Sequence, residues 1–202
     1  MESRALSDPA FPAFAAKVVP FLHVTTQIKD RKYDGLLKAK GFKIGKSLLE
    51  DDKVEFAKTL LSNPKLHVPV DHIAADKFEA GAKTVVTSDE NIPDGWIGVD
   101  IGPRTIAAIK AVVSKAKTIF WNGPVGVFEI PEFSQGTLQC AKIVAEATQN
   151  GAFSVVGGGD SIAAINKSGM AKHISHISTG GGASLEFLEG KKLPGVEALA
   201  NA

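Results

Sequence analysis

In the segment Phe153-Ser154-Val155-Val156-Gly157-Gly158-Gly159-Asp160-Ser161, four strand-prone residues run into three glycines and then a helix start. Bare glycines let an anion approach the main chain, and the opening turn of a helix aims unpaired N–H groups and about half a positive charge at it. Asp160 adds a hard oxygen ligand of the kind a nucleotide-bound magnesium ion takes. A tight strand-to-helix connection would use the same glycines, so this tract alone does not separate the two readings. The device recurs in His173-Ile174-Ser175-His176-Ile177-Ser178-Thr179-Gly180-Gly181-Gly182-Ala183-Ser184-Leu185-Glu186. Consecutive strands of a parallel sheet deliver their carboxyl ends to one side, so two glycine-lined helix starts there would share one rim. Thr179-Gly180-Gly181-Gly182 also suits a capped turn, yet two such turns separated by one short helix favour an anion site.

The rim requires strands and helices in alternation, and the punctuation of the chain supplies them. Asp51 or Asp52 caps a helix bearing Val54, Ala57, Leu60 and Leu61 that ends at Asn63-Pro64, and Leu66 to Val70 reads as a strand. Residues 72–98, with Val85-Val86 among polar neighbours and a Pro93-Asp94-Gly95 turn, read as a small β excursion. Gly102-Pro103 opens a helix carrying Ile106, Ile109, Val112 and Val113, since proline is tolerated in a first turn. Thr118 to Trp121 is the next strand, and a helix from about Glu132 to Asn150 stops at Gly151. Phe153 to Val156, a helix after Asp160, Ile174 to Ile177 and a helix after Gly182 complete the series. The expectation is one α/β domain over 1–202, with a mostly parallel central sheet covered by helices on both faces.

A chain of 202 residues that is 44% apolar has enough for one substantial core, and the net charge of +1 provides no field to gather nucleic acid or an acidic membrane. No apolar run is long enough for a signal or a bilayer span, so a soluble, cytoplasmic monomer is expected. The only cysteine, Cys140, falls on the apolar stripe of a helix and reads as packing. His23, His67, His72, His173 and His176 make no metal cluster, and His173 and His176, three apart on a strand edge, would point to opposite faces. Gly41-Phe42-Lys43-Ile44-Gly45-Lys46-Ser47 has three residues between its glycines where a phosphate loop needs four, and it follows a helix; it reads as a connection.

Gly98-Val99-Asp100-Ile101-Gly102-Pro103, Trp121 to Glu129, Val156 to Ser161 and Ser178 to Glu189 stand in one particular order and spacing. In these four motifs the chain, from about Leu36 to Leu199, resembles the carboxyl-terminal, nucleotide-binding half of phosphoglycerate kinase. The resemblance implies a Rossmann-like three-layer sandwich that binds Mg2+ with ADP or ATP. It implies that Glu129 accepts from the ribose hydroxyls, that Gly98 and Val99 form a wall of the adenine pocket, and that Asn122 lies near the phosphates. Gly158, Gly159, Asp160 and Ser161 correspond to the phosphate and magnesium turn, with Asp160 toward the metal. Gly180, Gly181 and Gly182 correspond to the helix end that faces the phosphoryl group in transit, the catalytic position. In the family, ADP accepts that group from 1,3-bisphosphoglycerate, and the basic site for 3-phosphoglycerate belongs to the amino-terminal half. No stretch here resembles that half, so little or no turnover is expected without a complementary partner half.

Residues 1–35 differ. Ser7-Asp8-Pro9 starts a helix through Phe14 and Val18, Phe21 to Thr26 is a strand, and Asp34 caps a helix through Leu36, Leu37 and Ala39. Where the family has a glycine-rich turn against adenine, this chain has Thr25-Thr26-Gln27-Ile28-Lys29-Asp30-Arg31-Lys32-Tyr33-Asp34, and the family's Gly-Gly-Ala-Lys loop is missing. The segment is faintly similar to an interior stretch of a thioredoxin-like domain, without a C-x-x-C pair. Two origins stay open: a chimera whose foreign helix–strand–helix joins between Tyr33 and Gly41, or a naturally divergent fragment. Three functions stay open as well: a weak binder of magnesium ADP, a folded scaffold without ligand function, or an active kinase. A dinucleotide oxidoreductase is disfavoured because no G-x-G-x-x-G opens a helix.

Overall fold

The computed structural model describes residues 32–47, 49, 54–188, 190–195 and 198. The helix and strand expected within residues 1–31 lie outside them. In chain order the elements are α1 (Lys32–Ala39), α2 (Val54–Leu60), β1 (His72–Ala75), β2 (Thr84–Val86), β3 (Ile97–Ile101), α3 (Pro103–Val113), β4 (Thr118–Asn122), a 3-10 turn (Pro131–Phe133), α4 (Gln135–Gln149), β5 (Phe153–Gly157), α5 (Gly159–Ser168), a 3-10 turn (Ala171–His173), β6 (His176–Ser178) and α6 (Gly181–Leu188).

The strands form two three-stranded sheets. One is parallel in the order β4-β5-β6, and its register sets Asn122 opposite Gly157 and Gly157 opposite Ser178. All three carboxyl ends therefore finish at one level. The other is antiparallel in the order β2-β1-β3, with a bulge between Ile73 and Ala74. This is the small β excursion, and it runs on through Ile101 because β3 pairs with β1 at both ends, from Ile97 to Ile101, with Val99 left over at the bulge. Strand alternation puts Ile119, Trp121, Ser154, Val156 and Ile177 on one face of the parallel sheet. Val156 packs there in a cluster with Ala141 of α4 and Ile165 of α5. A larger core gathers Ile101 and Ile109 with Ile119, Cys140, Ile143 and Val144, joining the antiparallel sheet to α3 and α4. Cys140 is buried in it, as its helical spacing implied, and burial pushes its thiol up.

Three sequence expectations change. Leu66 to Val70 forms no strand: the Val70 and Asp71 amides donate to Thr105 Oγ1 of α3 instead of to a neighbouring strand, and Pro69 has no amide to give. Asp34 lies inside α1 rather than ahead of it, because the helix already starts at Lys32. His173 closes a 3-10 turn and only His176 is in a strand, so alternation does not relate their directions. His173 Nδ1 lies 3.1 Å from Gln149 Nε2 at the end of α4. The Gly41–Ser47 stretch is a connection, tied to the excursion by an isolated bridge between Ile44 and Ile92. Among the described residues no helix is long and apolar enough to cross a membrane.

Candidate functional site

At the carboxyl ends of β4, β5 and β6 the chain turns three times in succession. After β5, Gly158 takes φ +90°, a conformation that side-chain-bearing residues rarely adopt, and α5 starts at Gly159 with no side-chain cap. After β6, α6 begins at Gly181 with no acidic residue in its first turn. The two turns touch: a Cβ on Gly181 would stand 2.6 Å from the Gly158 nitrogen and 2.7 Å from its Cα. Two helix amino ends, each with amides that lack intrahelical partners, thus lie side by side on one rim. Gly159 and Gly182 have open space where a Cβ would be, so the outer surface of both turns is bare main chain.

The remaining sequence-designated residues fall around this rim in different ways. The Asn122 side chain lies against Gly158, close enough that any Cβ there would run into its Oδ1. Asp160 is exposed in the first turn of α5. Ser161 is fully buried, and its hydroxyl accepts from the Gly123 amide, so it holds the end of β4 from beneath. Glu129 is exposed at the far end of the Gly123–Glu129 strap, and no ion pair among the described residues includes it. Gly98 and Val99 are packed against neighbours within the chain. The space beside Gly98 is filled by Ile92, whose Cδ1 would be 2.7 Å from a Cβ, and Val99 is fully buried in a cluster with Val127 and Phe133.

The strap itself is also held from α4. Thr137 Oγ1 on α4 accepts from the Val125 and Gly126 amides at 3.2 and 2.9 Å. Asp100 reaches the same place from β3: its carboxylate accepts from the Ile101 amide at 2.9 Å and from the Gly136 amide in the first turn of α4 at 2.6 Å. Only glycines fit around it, since a Cβ at Gly126 or Gly136 would collide with its Oδ1. Burial raises its carboxyl to about 7, although both amides favour the ionised form. Asp71 does the same for α3. It accepts from the Arg104 and Thr105 amides, both at 2.8 Å, and from Thr105 Oγ1 at 2.7 Å, with Gly102 leaving it room.

Sequence reasoning assigned no role to Asp71 or Thr137 and quoted Asp100 only inside a motif. The Asp100 bond to Gly136 spans 36 positions and that of Asp71 to Thr105 spans 34, so no local spacing announces either. A trace was present all the same, in the glycines at 102, 126 and 136 that sit where only hydrogen fits.

A family profile described as phosphoglycerate kinase matches residues 33–191. The chain is 52% identical to a phosphoglycerate kinase of Chloroherpeton thalassium over 170 aligned positions, covering 82% of this chain and 43% of the relative. It is 45% identical to that of Thermosipho africanus over 218 aligned positions, covering 98% of this chain and 54% of the relative. Among solved structures, phosphoglycerate kinase from Coxiella burnetii superposes with a TM-score of 0.77 at 42% identity, over 84% of this chain and 44% of that one. The chain spans about half the length of these relatives. With the motifs, the paired glycine turns and these likenesses in agreement, the chain belongs to the phosphoglycerate kinase family.

Proposed function

We propose that the rim formed by β4, β5 and β6 binds the phosphates of magnesium ADP or ATP. The observation that carries this reading is the contact between Gly181 and Gly158, which sets two glycine-lined helix starts, the first without a side-chain cap, within reach of one polyphosphate. Asn122 flanks the first of them, and Gly180 to Gly182 form the second, where the phosphoryl group in transit would lie. Among the described residues no group of three ligand side chains could hold a metal ion alone. Magnesium suits such a place, because it takes one or two carboxylates and completes its shell with water and phosphate oxygens. Asp160, exposed in the first turn of α5, supplies the carboxylate. Bound there, the metal would draw charge off the phosphate oxygens. Glu129 is the acceptor for the ribose hydroxyls.

The base has the weakest support, because Ile92 occupies the space beside Gly98. We therefore expect binding in the millimolar to high-micromolar range and little phosphoryl transfer without a complementary half carrying the 3-phosphoglycerate site. The same filled space favours a second reading, a folded scaffold that has lost its ligand. For residues 1–35, the Thermosipho alignment over 98% of the chain supports a divergent kinase fragment over a graft.

A thermal melt with rising magnesium ADP tests the proposal. Binding to the folded state alone raises its stability as RT ln(1 + [L]/Kd), so the midpoint should climb steadily with ligand. Asp160→Ala should leave the unliganded midpoint within about 0.5 kcal/mol of the parent, as an exposed change does, and should flatten the magnesium-dependent part of the climb. A midpoint that ignores nucleotide up to several millimolar rejects the binding reading and leaves the scaffold.

A further inference from the structure

The Gly123–Glu129 strap is pinned at both ends by a single helix. Near the amino end of α5 the Ser161 hydroxyl accepts from the Gly123 amide; near its carboxyl end Lys167 Nζ donates to the Phe128 carbonyl at 2.6 Å. The ammonium also lies 5.9 Å from the centroid of the Phe128 ring, whose side chain is buried. The atom that Lys167 chooses matters. A lysine paired with the Glu129 carboxylate would compete with any hydroxyl seeking that carboxylate. Lys167 instead takes the carbonyl one peptide earlier, which fixes the backbone entering Glu129, and no ion pair among the described residues engages the Glu129 carboxylate.

We infer that Lys167 is a positioning residue for ribose recognition, holding Glu129 at a set separation from the phosphate turn through the body of α5. The inference rests on the nucleotide reading above. α5 then serves two parts of one ligand: its first turn faces the phosphates, and its last turn places the group that reads the sugar. A hydrogen bond from a charged donor keeps such a joint narrow, whereas a mobile carboxylate must be ordered by each ligand afresh.

Calorimetric titration of the whole chain with magnesium ADP, magnesium 2′,3′-dideoxy-ADP and magnesium pyrophosphate separates the possibilities. The parent should prefer ADP to the dideoxy compound. Lys167→Met keeps the stem over the Phe128 ring but cannot donate; it should lose about tenfold in ADP affinity, the usual size for a charged hydrogen bond, and lose the preference, while pyrophosphate binds as before. Lys167→Arg should restore both, and Lys167→Gln, a neutral donor, should restore them in part. Equal weakening of all three ligands in Lys167→Met, or a retained preference for the ribose hydroxyls, overturns the positioning role. If Lys167→Met fails to fold, Lys167→Gln decides: an ADP affinity and a ribose preference equal to the parent's overturn it too. A parent that binds neither ADP nor pyrophosphate defeats the nucleotide reading itself, and the positioning role with it.

Discussion

The amino ends of α3 and α4 are filled from within the chain, and that of α5 is left to the solvent side with α6 beside it. Asp71 and Asp100 reach over from other segments, are almost wholly buried, and satisfy first-turn amides of α3 and α4. The α5 start has no side-chain cap, and its neighbour opens on Gly180-Gly181-Gly182. Both pairs use the same physics, a positive helix end that favours a carboxylate or a phosphate. In the first pair the negative group is covalently part of the protein and glycines at 102, 126 and 136 shrink to admit it. In the second, a Cβ at Gly159 or Gly182 would meet nothing within 4 Å, and no side chain caps the start of α5. A glycine beside a helix start therefore has two meanings, and what its missing Cβ would touch tells them apart.

This contrast breaks first, if it breaks, at Asp71. Replacing Asp71 by alanine leaves the Arg104 and Thr105 amides without their acceptor, while the Thr105 hydroxyl keeps the Asp71 carbonyl, and should cost about 3 kcal/mol in urea unfolding. A loss below about 1 kcal/mol would mean that the α3 cap is not structural. Asp100 sharpens the contrast through pH. Its carboxyl stands at about 7 in the fold against an ordinary 3.8. The unfolded chain releases this proton near pH 4 while the folded chain keeps it to about 7, so stability should decline as pH rises through that window and level off above it. Asp100→Asn should remove that part of the decline, read as the difference between the two unfolding free-energy profiles. The smallest effects belong to the open end. Gly181→Ala, whose Cβ would meet Gly158 at 2.6 Å, should cost about 1–3 kcal/mol and abolish nucleotide-induced stabilisation. Gly182→Ala meets nothing within 4 Å. It should leave the fold unharmed or firmer by about 0.5 kcal/mol, since alanine suits a helix better, and still weaken magnesium ADP binding. If Gly182→Ala binds ADP as the parent does, no phosphate approaches that turn.

The rim was legible in the sequence because its makers are local. Strand, glycines and helix follow within ten residues, and hydrophobic alternation sets the register that brings Asn122, Gly157 and Ser178 to one level. The helix after Gly102-Pro103 and the excursion around Val85-Val86 were legible for the same reason. What escaped depends on contacts far apart in the chain. Leu66 to Val70 has a strand's composition, but the Val70 amide is claimed by Thr105, which nothing nearby foretells, and the Leu66 amide turns back to Asn63. Gly98 matches a motif, yet whether its open side faces a ligand or Ile92 is decided by how residues 43–47 and 91–96 dock onto β3. Ser161 had the right address and a different task, since its hydroxyl turns inward to Gly123.

Because Gly181 rests directly on Gly158, the second loop is seated on the first: a side chain at 181 displaces the Gly158 backbone, whereas one at 158 runs into Asn122. A library randomised at both positions should return folded members that keep glycine at 158, where φ is +90° and Asn122 fills the space, with only small residues at 181.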